Sequence, residues 1–199
     1  MINQEKVWDD IASEWHEYKK IPAQHVKKFL DESSGKVLDL GSGSGRNMQK
    51  IKNGKMYLVD FSKKMLDLAQ EKAKEEGIDI ETKKSNLWEI DYPENYFDGA
   101  ICISAIHCVK GEENRINTLK EIYRVLKPKA KVLIGVWNVK SKRFRNKDKE
   151  KMIGWTDKGE RYYYLYDEEE IHFQCEKIGF KIIETHNSEM MINFICEKI

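Results

Sequence analysis

The densest chemistry in the chain lies in one run, Val37-Leu-Asp-Leu-Gly41-Ser-Gly43-Ser-Gly45-Arg46-Asn47. An apolar stretch ends there in three glycines at alternate positions. Only glycine lets a backbone turn tightly while a ligand presses against bare amides. Asp60 closes a second apolar stretch 19 residues after Gly41. A carboxylate at that place can accept hydrogen bonds from both hydroxyls of a ribose. The pair of features defines a nucleoside site at the carboxyl edge of a parallel sheet. A dinucleotide site asks for glycine three places after the second one, so that a helix N-terminus can approach a pyrophosphate; here that place holds Arg46. Asp39, two residues before the first glycine, suits a cationic amino or sulfonium group better than an anionic phosphate.

Elements of suitable kind flank these residues. Residues 1–35 read as a helical cap: Val7, Ile11, Trp15 and Tyr18 share one helical face up to Pro22, and a second short helix runs through Val26, Phe29 and Leu30 to Gly35. Strands are predicted at Lys36–Leu40, Lys55–Asp60, Ile78–Lys83, Tyr96–Ser104 and Ala130–Trp137. Ser62 caps a helix with Met65, Ala69 and Ala73 inward, ended by Gly77. A second helix carries Ile116, Leu119, Tyr123 and Leu126 and stops before Pro128. Asp167 and Glu170 form a capping box for a third, with Ile171, Cys175 and Ile178 inward and Gly179 at its end. Phe180–Thr185 and Met190–Cys196 then form a hairpin around His186-Asn187-Ser188-Glu189. The expected fold is α/β: a seven-stranded, mostly parallel sheet with helices on both faces and an antiparallel last strand. Residues 1–199 form a single domain, with residues 138–166 as a charged and aromatic insertion on the substrate side.

Charged residues make up 35% of the chain, yet the formal net charge is only +1. That balance excludes an evenly basic surface and leaves nucleic-acid contact to a local patch. Cys102, Cys108, Cys175 and Cys196 show no CxxC spacing, so free thiols are expected and no metal site. No apolar signal core or membrane-length run is present, and the reading is a cytoplasmic protein without a membrane partner.

On these motifs the chain resembles the class I S-adenosylmethionine-dependent methyltransferases, which have a Rossmann-like fold. VLDLGSGSG is similar to the family's first motif, YLVDFS to its ribose-binding acidic strand and YFDGAICIS to its fourth strand. LKEIYRVLKPKAKVLIGVW resembles the helix, turn and strand that follow. The resemblance implies S-adenosyl-L-methionine as cofactor, with S-adenosyl-L-homocysteine as product. It places Asp39, Gly41, Gly43 and Gly45 at the methionine end, Asp60 on the ribose and Phe61 beside the adenine. It assigns Asn86 to the adenine amino group, a backbone amide of Leu87 to the ring, and a carbonyl of Ser104 to the donor's amino group.

Methyl transfer from a sulfonium needs alignment and exclusion of water, with a base only where the acceptor must lose a proton. Ser104-Ala-Ile-His107 stands where enzymes acting on exocyclic base amines carry an Asn/Asp-Pro-Pro-aromatic tetrad, and Cys108 lacks the proline that accompanies a carbon-5 nucleophile. An oxygen, carboxylate or small-molecule acceptor remains. His107, just past the fourth strand, is a candidate to orient the acceptor or act as base, or else packs under the cofactor. Trp137 is a candidate wall of the pocket or a core aromatic.

A narrower resemblance, to the tRNA wobble-uridine methyltransferases that esterify 5-carboxymethyluridine, rests on SAIHCV, GVW, Glu160-Arg-Tyr-Tyr-Tyr-Leu-Tyr166 and NFICEK. It implies that Arg161 meets the substrate carboxylate or a phosphate and that tyrosines such as Tyr163 stack a base. It also implies tRNA and a small zinc-binding activator protein as partners. The chain departs from that pattern at Lys19, where the family has arginine, and at Ser42 and Ser44 in the glycine loop. A basic run, Val139–Lys151, holds seven Lys or Arg among thirteen residues and reads as a phosphate-binding loop or a solvated charge run. A methyltransferase for a small-metabolite hydroxyl or carboxylate is the alternative, and a non-catalytic nucleoside-binding subunit a third reading.

Overall fold

Neighbouring residues of each central strand point into different cores. Val37, Leu58, Ile101, Leu133 and Ile195 pack on one side of the sheet with Val26, Leu30, Leu66 and Ala69. Leu38, Val59, Cys102, Ile134 and Cys196 pack on the other with Leu119, Ile122, Ile171 and Cys175. Strand side chains alternate between faces, so strands apolar on both must be covered by helices on both.

The computed structural model describes residues 3–18, 20–144, 148–186 and 188–199. Its helices are α1 (Gln4–Asp10), α2 (Ala12–Tyr18), α3 (Gln24–Asp31), α4 (Lys63–Glu76), α5 (Glu112–Val125) and α6 (Glu168–Ile178). Its strands are β1 (Ser34–Leu40), β2 (Lys52–Asp60), β3 (Ile80–Lys84), β4 (Phe97–Ile103), β5 (Leu126–Trp137), β6 (Glu150–Gly154), β7 (Glu160–Tyr164), β8 (Phe180–Thr185) and β9 (Met191–Lys198). Seven strands form one sheet in the order β3-β2-β1-β4-β5-β9-β8. Pairs among β1 to β5 are parallel, and β9 runs antiparallel between β5 and β8. The expected α/β architecture, with its antiparallel last strand, is the one found. Strand order reverses between β1 and β4, which opens a crevice at their carboxyl ends.

Local signals act where the sequence puts them. Ser62 accepts a hydrogen bond from the Met65 N–H at 3.2 Å, and Gly77 ends α4 in the left-handed region at φ 61°. Asp167 and Glu170 make the reciprocal capping box of α6.

Other expectations are corrected. The first helix is interrupted at Ile11 instead of running unbroken to Tyr18, and Ile11 and Ala12 pack with Met65 and Tyr163; Tyr18, expected on the inner face, is 66% exposed. The next helix ends at Asp31, not at Gly35, since Ser34 already pairs with Lys52 at the start of β1. β5 begins at Leu126 rather than Ala130, and Pro128 is accommodated where the register with β4 shifts and Lys129 takes φ 68°. Within residues 138–166, β6 and β7 pair into a hairpin and Phe144 is buried against Trp137. Replacing Asp167 with Ala removes the side-chain half of the α6 box and leaves the residue 167 N–H to Glu170, and denaturant unfolding should show a loss of about 1 kcal/mol.

Candidate functional site

β1 and β2 end side by side, with Leu40 opposite Val59, and the loops leaving them wrap around one carboxylate. Asp60 Oδ2 accepts from the Gly43 N–H at 2.8 Å and Oδ1 from the Ser62 N–H at 2.9 Å. Gly41, at φ 76°, sits so close to the residue after Ser104 that a Cβ would stand 2.2 Å from the Cβ of Ala105. A Cβ on Gly43, at φ 53°, would meet nothing within 4 Å, so that backbone borders open space. That space is a cavity of about 330 Å³ at the β1/β4 crevice, large enough for a small-molecule ligand.

Gly41, Gly43, Asp60, Phe61, Asn86, Leu87 and Ser104 all line it, as the sequence predicts. Asn86 donates its Nδ2 to Glu89 Oε1 at 2.8 Å, which leaves its carbonyl oxygen uncommitted by that bond. Ser104 holds the left-handed conformation, φ 61°, a strained state for a residue with a side chain, at the end of β4. Gly45 and Asp39 stand apart from the lining. Gly45 packs on Ala69 of α4, and Asp39 is completely buried with neither carboxylate oxygen hydrogen-bonded. Burial pushes the Asp39 carboxyl up to about 7, opposed by Arg46 and reinforced by Asp60. Burial likewise pushes Asp60 up to about 6, against the lowering effect of its backbone amides. The amides leave Asp60 lone pairs to accept from a diol, and Asp39, when ionised, places a negative charge beneath the loop. The donor set suits a nucleoside with a cationic arm.

On the acceptor side the structure rearranges the expectation. His107 is buried, its Nδ1 accepting the Trp137 N–H at 3.1 Å, and its ring is stacked with Trp137, which lies on Tyr163 at 4.3 Å. Burial pulls the imidazole down to about 3, so it stays neutral. None of these three residues lines the cavity, and Tyr162, Tyr163 and Tyr166 are too deeply buried to stack an incoming base. His107 and Trp137 thus take the packed alternative open to each, in place of base and pocket wall, and Tyr163 as a base platform is corrected to part of the same layer behind the site.

Arg161 is 5% exposed, boxed by the rings of Trp8, Trp15, Trp155 and Tyr163 at 4.9 to 5.7 Å. Its Nη2 reaches the Gly154 carbonyl at 3.4 Å, its Nε has no partner, and no carboxylate pairs with it among the described residues. Trp8 and Trp15, which do line the cavity, separate it from the open space. Sequence reasoning missed these tryptophans as site residues; Trp15 looked like core, and only the fold lays α1 and α2 over the crevice. Gln4 fastens that cap to the hairpin through the Glu160 carbonyl and the Tyr162 N–H, and Glu14 through Trp155 Nε1 and Lys158.

Much of the basic run is neutralised: Lys140 pairs with Asp167 at 2.8 Å, Lys149 with Glu170 at 2.7 Å and Lys151 with Asp148 at 4.0 Å. Arg145, Lys147 and Lys19 lie outside the described residues. Among the described residues no group of His, Cys, Asp or Glu is placed to hold a metal ion, and no helix is long and apolar enough to cross a membrane. All four cysteines are free, with Cys108 at the cavity wall.

Because Asp39 titrates higher in the folded chain than its ordinary 3.8, its contribution to stability is fully present below about pH 4 and lost as pH rises through 7. Asp39→Asn should therefore raise the thermal midpoint by roughly 5 °C at pH 8 and leave it unchanged at pH 4, as read by calorimetric unfolding.

Comparison with known proteins bears on the same region. The methyltransferase domain family model matches residues 37–129. The tRNA (carboxymethyluridine(34)-5-O)-methyltransferase alkbh8 of Xenopus tropicalis is 30% identical over 146 residues, 72% of this chain and 22% of that protein. The ubiquinone/menaquinone biosynthesis C-methyltransferase UbiE of Vibrio cholerae is 29% identical over 120 residues, 54% of this chain and 45% of that one. The chain thus spans less than half the length of these curated relatives. Among solved structures, a SAM-dependent methyltransferase from Methanosarcina mazei shares the fold with a TM-score of 0.75 at 20% identity, over 90% of this chain and 99% of that one. A Haloferax volcanii methyltransferase, solved in complex with the Trm112 methyltransferase activator, does so with a TM-score of 0.76 at 15% identity, over 98% and 97%.

Proposed function

We propose that the chain is a class I S-adenosylmethionine-dependent methyltransferase that esterifies the carboxylate of 5-carboxymethyluridine at the wobble position of tRNA. The observation that carries the acceptor is Arg161, a buried guanidinium without an acidic partner, one layer of side chains from the donor cavity. An unpaired buried charge is costly, and a planar guanidinium is the side chain best shaped to hold a carboxylate by two parallel hydrogen bonds. The similarity to the Xenopus enzyme, whose name gives that same acceptor, supports the reading.

S-adenosylmethionine, when bound, supplies an electrophilic methyl group on a cationic sulfur. Asp60 would hold the ribose, Phe61 and Leu87 the adenine, with Asn86 at its amino group and Ser104 near the amino acid end. An acceptor carboxylate is ionised at neutral pH, so an oxygen lone pair would form the new C–O bond as the methyl–sulfur bond breaks with its electron pair left on sulfur, and no proton has to leave. That chemistry accords with a neutral, buried His107 and asks of the residues only alignment and exclusion of water. The stacked His107, Trp137 and Tyr163 would keep the hairpin, and so Arg161, in position. A small zinc-binding activator joins the proposal on the strength of the Haloferax fold neighbour, and a cytoplasmic site is in keeping with four free cysteines.

A second reading, a small-metabolite carboxylate or hydroxyl as acceptor, is favoured by the internal ion pairs of Lys140, Lys149 and Lys151, which leave less charge for phosphates. Labelled methyl transfer into bulk tRNA, with and without a Trm112-type activator and followed by nucleoside mass spectrometry, separates the two. Label in a uridine methyl ester is expected; label confined to small metabolites would defeat the RNA proposal. Arg161→Gln should lower kcat/KM for the acceptor roughly 100-fold and leave S-adenosylhomocysteine binding unchanged in calorimetry.

A further inference from the structure

Arg161 and the donor cavity touch the same two rings and not each other. Trp8 and Trp15 line the cavity, and both stand against the guanidinium, at 5.7 and 5.4 Å. A carboxylate that reaches Arg161 from the cavity has to displace one of them. The two rings are not held alike. Trp8 is buried on α1, which Glu5 ties to Lys84 at 2.6 Å and Asp9 ties to the Ser62 hydroxyl and the Lys64 N–H. Trp15 is half-buried on α2, and of the seven residues in that helix only Ala12 is buried. The strand that carries Arg161 is fixed as well. Tyr163 is stacked on Trp137, and the Tyr166 N–H donates to the Trp137 carbonyl at 2.9 Å. The piece least bound by packing is therefore α2.

Glu14, next to Trp15, fastens that helix to the hairpin. It accepts from Trp155 Nε1 at 2.5 Å and pairs with Lys158. Both charged side chains of the pair remain open to water, where an ion pair is weak and readily exchanged. The interruption at Ile11, between α1 and α2, supplies a hinge. We infer that α2 is a gate latched by Glu14: its release carries Trp15 away from between the donor cavity and Arg161 and admits the acceptor. The inference rests on the acceptor reading of Arg161 above and adds what controls access to that residue. Only molecules with α2 released can take the acceptor, so loosening the latch strengthens apparent binding. A residue that merely supported the fold would act with the opposite sign.

Two measurements on the purified full chain test the gate. Phenylglyoxal modifies accessible guanidinium groups, and peptide mass spectrometry follows the reaction at each arginine. Arg115 is the reference: it is also 5% exposed, but is held by the Val109 carbonyl and the Tyr162 hydroxyl, on the other face of β7 from Arg161. Glu14→Ala should speed modification of Arg161 roughly 3- to 10-fold and leave Arg115 unchanged. Trp155→Phe, which keeps a ring but loses the N–H, should act in the same direction to a smaller extent. In methyl transfer to an anticodon stem-loop RNA carrying 5-carboxymethyluridine, with a Trm112-type activator present, Glu14→Ala should raise kcat/KM by a similar factor. Its affinity for S-adenosylhomocysteine should stay that of the wild type. An Arg161 rate unchanged in both variants overturns the gate, and so does equal acceleration of Arg115, which would mean general loosening. A fall in kcat/KM with Glu14→Ala overturns it too. If no protein methylates the RNA while Arg161 reactivity still follows the latch, the acceptor reading fails and the gate stands.

Discussion

One buried carboxylate, Asp60, fixes the geometry on which the site depends. Its two oxygens gather the amide of Gly43 from the loop after β1 and the amide of Ser62 from the start of α4. Ser62 is also the N-cap of α4, and its hydroxyl donates to Asp9 of α1 at 2.5 Å. A single charge thereby joins the glycine loop, the helix behind it and the cap above it. The arrangement is possible only because β1 and β2 are buried on both faces and end at the same level, which keeps water from competing for those amides. Burial strains the same charge, and the amides compensate by satisfying the ionised form.

The charges of the molecule divide into two populations. On the helix surfaces opposite charges meet at helical spacing, as in Lys6 with Asp10, Lys27 with Asp31 and Lys63 with Asp67. Such exposed pairs contribute little to stability and say little about function. Asp39 and Arg161 are shielded from water instead and Arg46 is half-buried, and each lacks an ion pair among the described residues. Leaving such groups without partners costs folding free energy, and their concentration around one cavity marks it as the place where ligand charges complete the structure.

Legibility followed the range of the interaction. The glycine loop, Asp60, the Ser62 cap and the Asp167 box were readable because each is dictated by a few adjacent residues and their backbone conformation. His107 shows the opposite. Three residues past Ser104 it looked poised over the acceptor, yet the 3-10 turn Ile106–Cys108 sends its ring into the layer of Trp137 and Tyr163. The three successive tyrosines of β7 read as a platform for a substrate base, but α1 and the turn at Ile106–Cys108 cover that strand, and Tyr162 and Tyr163 are buried although they point to opposite faces. Neither burial is encoded near the residues concerned; both follow from which distant element lands on them.

The same distinction explains why the donor is clearer than the acceptor. The residues assigned to the donor, from Asp39 to Ser104, fall inside the stretch 37–129 that the family model matches. They come from consecutive strands and loops that position one another. The wall proposed for the acceptor comes from α1 and α2 and from the β6–β7 hairpin. These are joined by the polar clasps of Gln4 with Glu160 and Tyr162, and of Glu14 with Trp155 and Lys158. Trp8, Trp15 and Arg161 therefore lie outside the matched stretch. A fold divided in this way can keep its donor chemistry while exchange of the clasped pieces changes what is methylated. Two relatives similar to this chain bear names that differ in acceptor, one a uridine in tRNA and another a carbon in quinone biosynthesis.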